Sequence, residues 1–274
     1  MHAPTLTLGQ SVRLALIDGT LLGLFMVSMG VFVGLIASPQ SPLGLSALPA
    51  LSQGALIGAA MGLTSFALIS SPLGARSGAH MNPATTLAYL RLGRIPPHTA
   101  LLYVVMQVAL GILGAWSIGA IVGPMFTDAP VMYAPTRPGP LGPAAALLAE
   151  FAMAFVLFTV ALFATNSPRF ARHTPKLMGL LVFAYITLEA PISGMSINPA
   201  RTLASAVPSG VFDSLWVYLV GPTLGMLVAA ELYTRLRGSH AVHCCKLNHE
   251  RHERCPFCGC DGPINFSAHE SEAA

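Results

Sequence analysis

Ser77-Gly78-Ala79-His80-Met81-Asn82-Pro83-Ala84-Thr85-Thr86-Leu87 returns 116 positions later as Ser193-Gly194-Met195-Ser196-Ile197-Asn198-Pro199-Ala200-Arg201-Thr202-Leu203, with seven of eleven residues unchanged. Asn is a strong helix N-cap, and Pro suits the next position because its missing N–H has no intrahelical partner. Each segment therefore predicts a helix start. The Ser-Gly run before it gives an extended backbone that can expose successive carbonyls. The apolar stretches that begin here, Met81–Leu92 and Asn198–Val207, are about ten residues long. Crossing a bilayer takes roughly 20, so they read as re-entrant segments.

Longer apolar runs surround them. Leu14–Ala37, Gly54–Ser71, Thr99–Val122, Pro143–Thr165 and Leu215–Tyr233 are each long enough to span, and the shorter Leu177–Ala190, set between Lys176 and Pro191, makes six. Of the 274 residues, 54% are hydrophobic and 9% charged, against about 25% charged in soluble domains. That apolar excess makes a lipid bilayer the economical solvent, and the small, scattered net charge of +3 argues against a nucleic-acid partner. The links carry turn chemistry, as in Ser38-Pro39-Gln40-Ser41-Pro42 and Asn166-Ser167-Pro168. Met1 to Arg13 lacks a basic n-region and a small-residue cleavage site, so the first run reads as a retained span.

The expected fold is an all-α membrane protein of six transmembrane helices and two re-entrant half-helices. Three spans per half place the halves in opposite orientation. This inverted repeat covers about 13–123 and 143–236 within a channel domain at 13–238, flanked by an N-terminus at 1–12 and a tail at 239–274. Functional atoms are then expected near the midplane, between the repeats. Each half also opens with a lone acid in an apolar helix, Asp18 or Glu150. Cytoplasmic loops carry the excess of Lys and Arg. With both termini cytoplasmic, twelve such residues fall on that side, and only Arg137 and Arg201 on the other.

With the paired Asn-Pro-Ala segments, Asp18-Gly19-Thr20, Tyr103 with Gln107, Glu150-Phe151 and Gly221-Pro222, the chain resembles the major intrinsic protein family, the aquaporins and aquaglyceroporins. The resemblance spans roughly residues 12–235. It implies an aquaporin-like fold, a homotetramer, and a multi-pass protein of the cell (inner) membrane. It implies passive passage of water and small uncharged solutes, without protons or ions, and no enzymatic activity. By the same resemblance Asn82-Pro83-Ala84 and Asn198-Pro199-Ala200 meet at the pore centre. There the two Asn amides donate to the permeant molecule. The carbonyls of Gly78, Ala79 and His80, and of Gly194, Met195 and Ser196, form an accepting ladder. Asp18 and Glu150 hold the re-entrant loops.

Family spacing counted from the two asparagines puts the outer constriction at Gly62, Ile186, Met195 and Arg201. Water-selective members resemble one another in an aromatic and a His at the first two positions, where this chain has Gly62 and Ile186. Glycerol-type members have Asp after the Arg, where this chain has Thr202. The expectation is a relaxed pore passing water with glycerol, urea, ammonia, peroxide or neutral metalloid hydroxides. A strictly water-selective channel is the alternative. A secondary transporter also uses inverted repeats and broken helices, but the embedded ionisable set here is only Asp18, Glu150 and Glu189.

All five cysteines lie in the tail, as Cys244-Cys245 and Cys255-Pro256-Phe257-Cys258-Gly259-Cys260, among His240, His243, His249 and His252. The Cys-x-x-Cys spacing lets two thiolates reach one tetrahedral metal. Cys260, Cys244, Cys245, His249 or His252 could complete a zinc shell. The channel itself calls for no cofactor, and a tail of reduced thiols without metal is the alternative. A metal-bearing tail could be a knot docked beneath the channel, or a sensor that gates it.

Overall fold

In the computed structural model, residues 6–249 and 255–260 are described. The first half comprises α1 (Leu8–Ala37), α2 (Ala50–Ser70), α3 (Pro72–Ser77), α4 (Pro83–Arg91) and α5 (Pro97–Val122). A short α6 (Pro124–Thr127) leads to the second half, α7 (Gly142–Thr165), α8 (Thr174–Leu188), α9 (Ala190–Ser193), α10 (Pro199–Ser209) and α11 (Leu215–Arg237).

Local chemistry accounts for the boundaries. At α1, Gln10 N–H donates to Thr7 Oγ1 at 3.3 Å and Thr7 N–H to Gln10 Oε1 at 2.9 Å. This reciprocal cap starts the helix six residues before the apolar run does. Pro72 cannot donate a helical hydrogen bond. Helix α2 therefore stops at Ser70, and Ser71 caps α3 by accepting from Gly74 N–H at 3.0 Å. The two half-helices begin as their sequence predicts, with Pro83 and Pro199 in the first turn and Asn82 and Asn198 as caps.

Helices α1, α2, α5, α7 and α11 are long and apolar enough to cross a membrane. Helix α8 has 15 residues, which is about 22 Å at 1.5 Å per residue, short of the ~30 Å hydrocarbon core. Helix α9 follows it directly past Glu189, so α8 and α9 together form the fifth span, as α2 and α3 form the second. Large apolar side chains such as Leu63, Leu101 and Ile121 stand exposed on the outside, where a bilayer would cover them.

The main packing pairs are α1 with α5, α7 with α11, and α2 with α8. The first two lie within a half; the third joins the halves. The half-helices cross over, α4 packing on α11 and α10 on α5. At the joint between halves, a Cβ on Gly62 would lie 2.6 Å from Gly179 O, and a Cβ on Gly179 would lie 2.6 Å from Gly62 O. Only glycine at both places allows so close a crossing.

The start of α1 and the described part of the tail meet on one face. Gln10 and Arg13 of α1, Ala75 and Arg76 of α3, and Lys246 and His249 of the tail line one depression there. Arg91 pairs with Glu231 at 2.8 Å, and Arg94 donates to Ser239 O at 2.9 Å, tying α4 and its following turn to the end of α11.

Candidate permeation site

The two re-entrant loops are held from below by one buried carboxylate each. Asp18 Oδ1 accepts from Ser77 Oγ at 3.0 Å and His80 N–H at 2.9 Å, and its Oδ2 from Met81 N–H at 2.8 Å and Gln107 Nε2 at 2.7 Å. Glu150 repeats the pattern. Oε1 accepts from Ser193 Oγ at 2.7 Å and Ser196 N–H at 2.8 Å, and Oε2 from Ile197 N–H at 2.6 Å. Buried charge survives only when its lone pairs are satisfied, and these are. Tyr103 donates its OH to Ser77 O at 2.7 Å, and Tyr218 donates its OH to Ser193 O at 2.5 Å. Tyr218 was not visible from the motif alone, yet it stands 115 residues after Tyr103, close to the 116 of the repeat. That offset was the signal.

The loops have the same backbone shape. Gly78 and Gly194 have φ of 94° and 80°, and Ala79, Met81, Met195 and Ile197 lie between 48° and 55°. Such positive values are uncommon outside glycine. Here the carboxylate anchors and the loop-to-loop links hold them in place.

Those links are reciprocal. Asn82 Nδ2 donates to Ile197 O at 2.7 Å, and Asn198 Nδ2 donates to Met81 O at 2.7 Å. Meanwhile Asn82 Oδ1 accepts from Ala84 N–H at 2.9 Å, and Asn198 Oδ1 from Ala200 N–H at 3.0 Å and Arg201 N–H at 3.2 Å. Each amide has two N–H groups, so one hydrogen of each remains for another partner. Both asparagines line a cavity of about 290 Å³ that runs between the halves.

The cavity wall is mostly aliphatic and thioether, with Phe25, Met29, Ile57, Met61, Val182, Ile186, Met195 and Ile197 prominent. Among the described residues, Arg201 is the one guanidinium on it. Its Nη2 approaches Met29 Sδ at 3.4 Å, and its Nη1 is enclosed without a hydrogen-bond partner among the described residues. Of the ladder residues, Ala79, His80, Gly194, Met195 and Ser196 line the cavity. Gly78 O is taken by Leu247 N–H at 3.1 Å, so the tail occupies that carbonyl.

Ile186, Met195 and Arg201 therefore lie on one cavity, but Gly62 does not join them. It is turned against Gly179 and Phe183 of α8, and the neighbouring lining residues of α2 are Met61, Ile57 and Ser65. Its neighbour Met61, about 100° around the helix, faces the cavity instead.

The tail brings Cys244, His249, Cys255 and Cys258 together, with their ligand atoms within 4.8 Å of one another. Cys245 and Cys260 stand outside that group, and His252 lies outside the described residues. All five cysteines are free thiols.

Among known proteins, residues 13–233 match the family model described as Major intrinsic protein. Aquaporin NIP3-1 of Oryza sativa subsp. japonica is 34% identical over 166 residues, covering 59% of this chain and 51% of that protein. Aquaporin NIP2-3 of Zea mays is 36% identical over 181 residues, covering 64% and 56%. The chain thus spans little more than half the length of these plant relatives. The X-ray structure of the aquaglyceroporin from Plasmodium falciparum superposes with a TM-score of 0.65 over 81% of this chain and 96% of that one, at 18% identity, a likeness of fold. The opposed half-helices, the two anchoring carboxylates and a family match over most of the sequence have one reading: this chain belongs to the major intrinsic protein family.

Proposed function

We propose that this protein is a passive channel for water and small uncharged solutes, and not an enzyme. The observation that carries the reading is the reciprocal pair Asn82 to Ile197 O and Asn198 to Met81 O. It fixes two helix N-termini beside one cavity, each with a spare amide hydrogen. The positive ends of α4 and α10 disfavour cations there, a mechanism the general account of aquaporins already contains. Arg201 adds a fixed charge with an open N–H. The carbonyls of Ala79, His80, Gly194, Met195 and Ser196 supply acceptors.

The constriction is assigned to Met61, Ile186, Met195 and Arg201. None of the first three offers a strong hydrogen-bonding group, and Met is adaptable in shape. Carbon-bearing solutes such as glycerol or urea therefore meet a tolerant wall, which favours the relaxed pore over a strictly water-selective one. Both termini are assigned to the cytoplasmic side of the cell (inner) membrane, since that face carries the basic residues. A homotetramer is the assembly proposed from the family.

Stopped-flow light scattering on proteoliposomes tests the substrate reading. The expected result, for protein reconstituted in the presence of a metal chelator, is rapid water equilibration together with glycerol and urea influx above that of empty liposomes. Water flux with neither solute entering would return the protein to the strictly water-selective class.

A further inference from the structure

The tail is built onto the inner end of the cavity. His80 Nε2 donates to Cys245 O at 2.9 Å, and Leu247 N–H donates to Gly78 O at 3.1 Å. Asn248 Nδ2 donates to Ile69 O at 3.2 Å, and His243 N–H to Asn166 Oδ1 at 2.8 Å. Cys244, Cys245 and Leu247 are buried in the main core, and Leu247 lines the same cavity as Asn82 and Asn198. The segment therefore uses a ladder carbonyl and the loop histidine that a permeant molecule would otherwise meet.

The same segment carries a set of metal donors. Cys244 Sγ lies 3.6 Å from Cys255 Sγ, and Cys258 Sγ lies 3.7 Å from His249 Nε2. A disulfide requires about 2.05 Å, so the first pair is not one. With Zn–S of about 2.3 Å and Zn–N of about 2.05 Å, the edges of a tetrahedral site are about 3.8 and 3.6 Å. The observed separations match those edges. Gly259, at φ 74°, closes the turn after Cys258, with Gly259 N–H donating to Cys255 O at 2.9 Å. That turn aims both thiols of Cys255-x-x-Cys258 to one side. Three thiolates and Zn²⁺ would carry a net charge of −1, and the buried Lys246 and partly buried Arg94 lie within electrostatic reach of these sulfurs.

We infer that Cys244, His249, Cys255 and Cys258 form a Zn²⁺ site whose occupancy holds residues 241–249 across the inner mouth of the pore, making the tail a metal-set plug. Metal fixes donors from both ends of the tail segment at one point, and metal binding to such a site contributes directly to folding. Loss of metal frees the Gly78 carbonyl and the His80 imidazole, and the mouth opens. The switch rests on the channel reading above; the metal site does not.

The test uses the full-length protein, purified under reducing conditions and reconstituted. Metal analysis should give close to one zinc per chain, lost in Cys255→Ser/Cys258→Ser. Water flux should rise several-fold when a membrane-permeant zinc chelator is added, and fall again on zinc return. A Leu247→Asp variant, which leaves all four donors in place, should keep its zinc and conduct without chelator. Zinc far below stoichiometry in the wild type overturns the site. Full zinc with chelator-insensitive flux, beside a freely conducting Leu247→Asp, overturns the plug and leaves the channel standing. If no protein conducts under any condition, the channel reading fails, and the metal content decides the site alone.

Discussion

Met61 and Gly62 are adjacent in sequence and face different partners. Met61 is buried and faces the cavity, whereas Gly62 sits against Gly179 where α2 and α8 cross. A Gly62→Phe substitution should therefore wedge the halves apart. Overpacking of this kind costs about 1–3 kcal/mol or more, read as poor yield and a lowered melting temperature in detergent. Met61→Phe should instead leave folding near normal and reduce glycerol flux more than water flux. Equal behaviour of the two variants in both assays would sink this assignment. Asn82, Asn198 and Arg201 were legible because a motif names them. Which α2 residue faces the cavity is set by how α2 crosses α8 at Gly62 and Gly179, and spacing along the chain does not show that crossing.

The half-helices depend on anchors outside themselves. Helix α10 contributes its cap through Asn198, but the loop ahead of it is shaped by Glu150 on α7. In Glu150→Gln the carboxamide loses the negative charge and offers an N–H₂ where donors already point. A hydrogen bond to a charged group contributes about 1.5–3 kcal/mol, and two backbone donors depend on this one. The expected outcome is a melting temperature lowered by several degrees, with water flux reduced even in properly inserted protein. Unchanged stability would show that Glu150 does not hold the loop. Asp18 has the added donor Gln107 Nε2, so Asp18→Asn strands one donor more and should cost more. The sequence displayed these elements well, since Asn-Pro marks a helix start chemically. It underestimated α1 by six residues because hydropathy does not see a polar first turn closed by Thr7 and Gln10.

At the scale of the whole molecule, a cavity between opposed halves is common to channels and carriers, and the kinetics of flux separate the two. Flux of a permeant solute should rise linearly with its gradient, without saturation and without dependence on an ion gradient. Saturable, coupled uptake would favour the transporter reading. The inverted architecture was open to sequence reading because the two halves still share seven of eleven motif residues. The placement of the tail was not. Its cysteines and histidines announce donors, but nothing in their spacing reveals that Cys245 O lies against His80 or that Leu247 reaches the cavity. Long-range backbone contacts leave no periodic trace in the chain.

The exchanged links between Asn82 and Ile197 O, and between Asn198 and Met81 O, also bear on how the protein is made. During synthesis the first half emerges from the ribosome more than a hundred residues ahead of its partner carbonyl. Until then the amide of Asn82 lacks its Ile197 acceptor, and the loop is held by groups of its own half such as Asp18, Gln107 and Tyr103. The first half can therefore make its anchor before its latch has anything to close on. The second half, arriving last, closes both latches in one step.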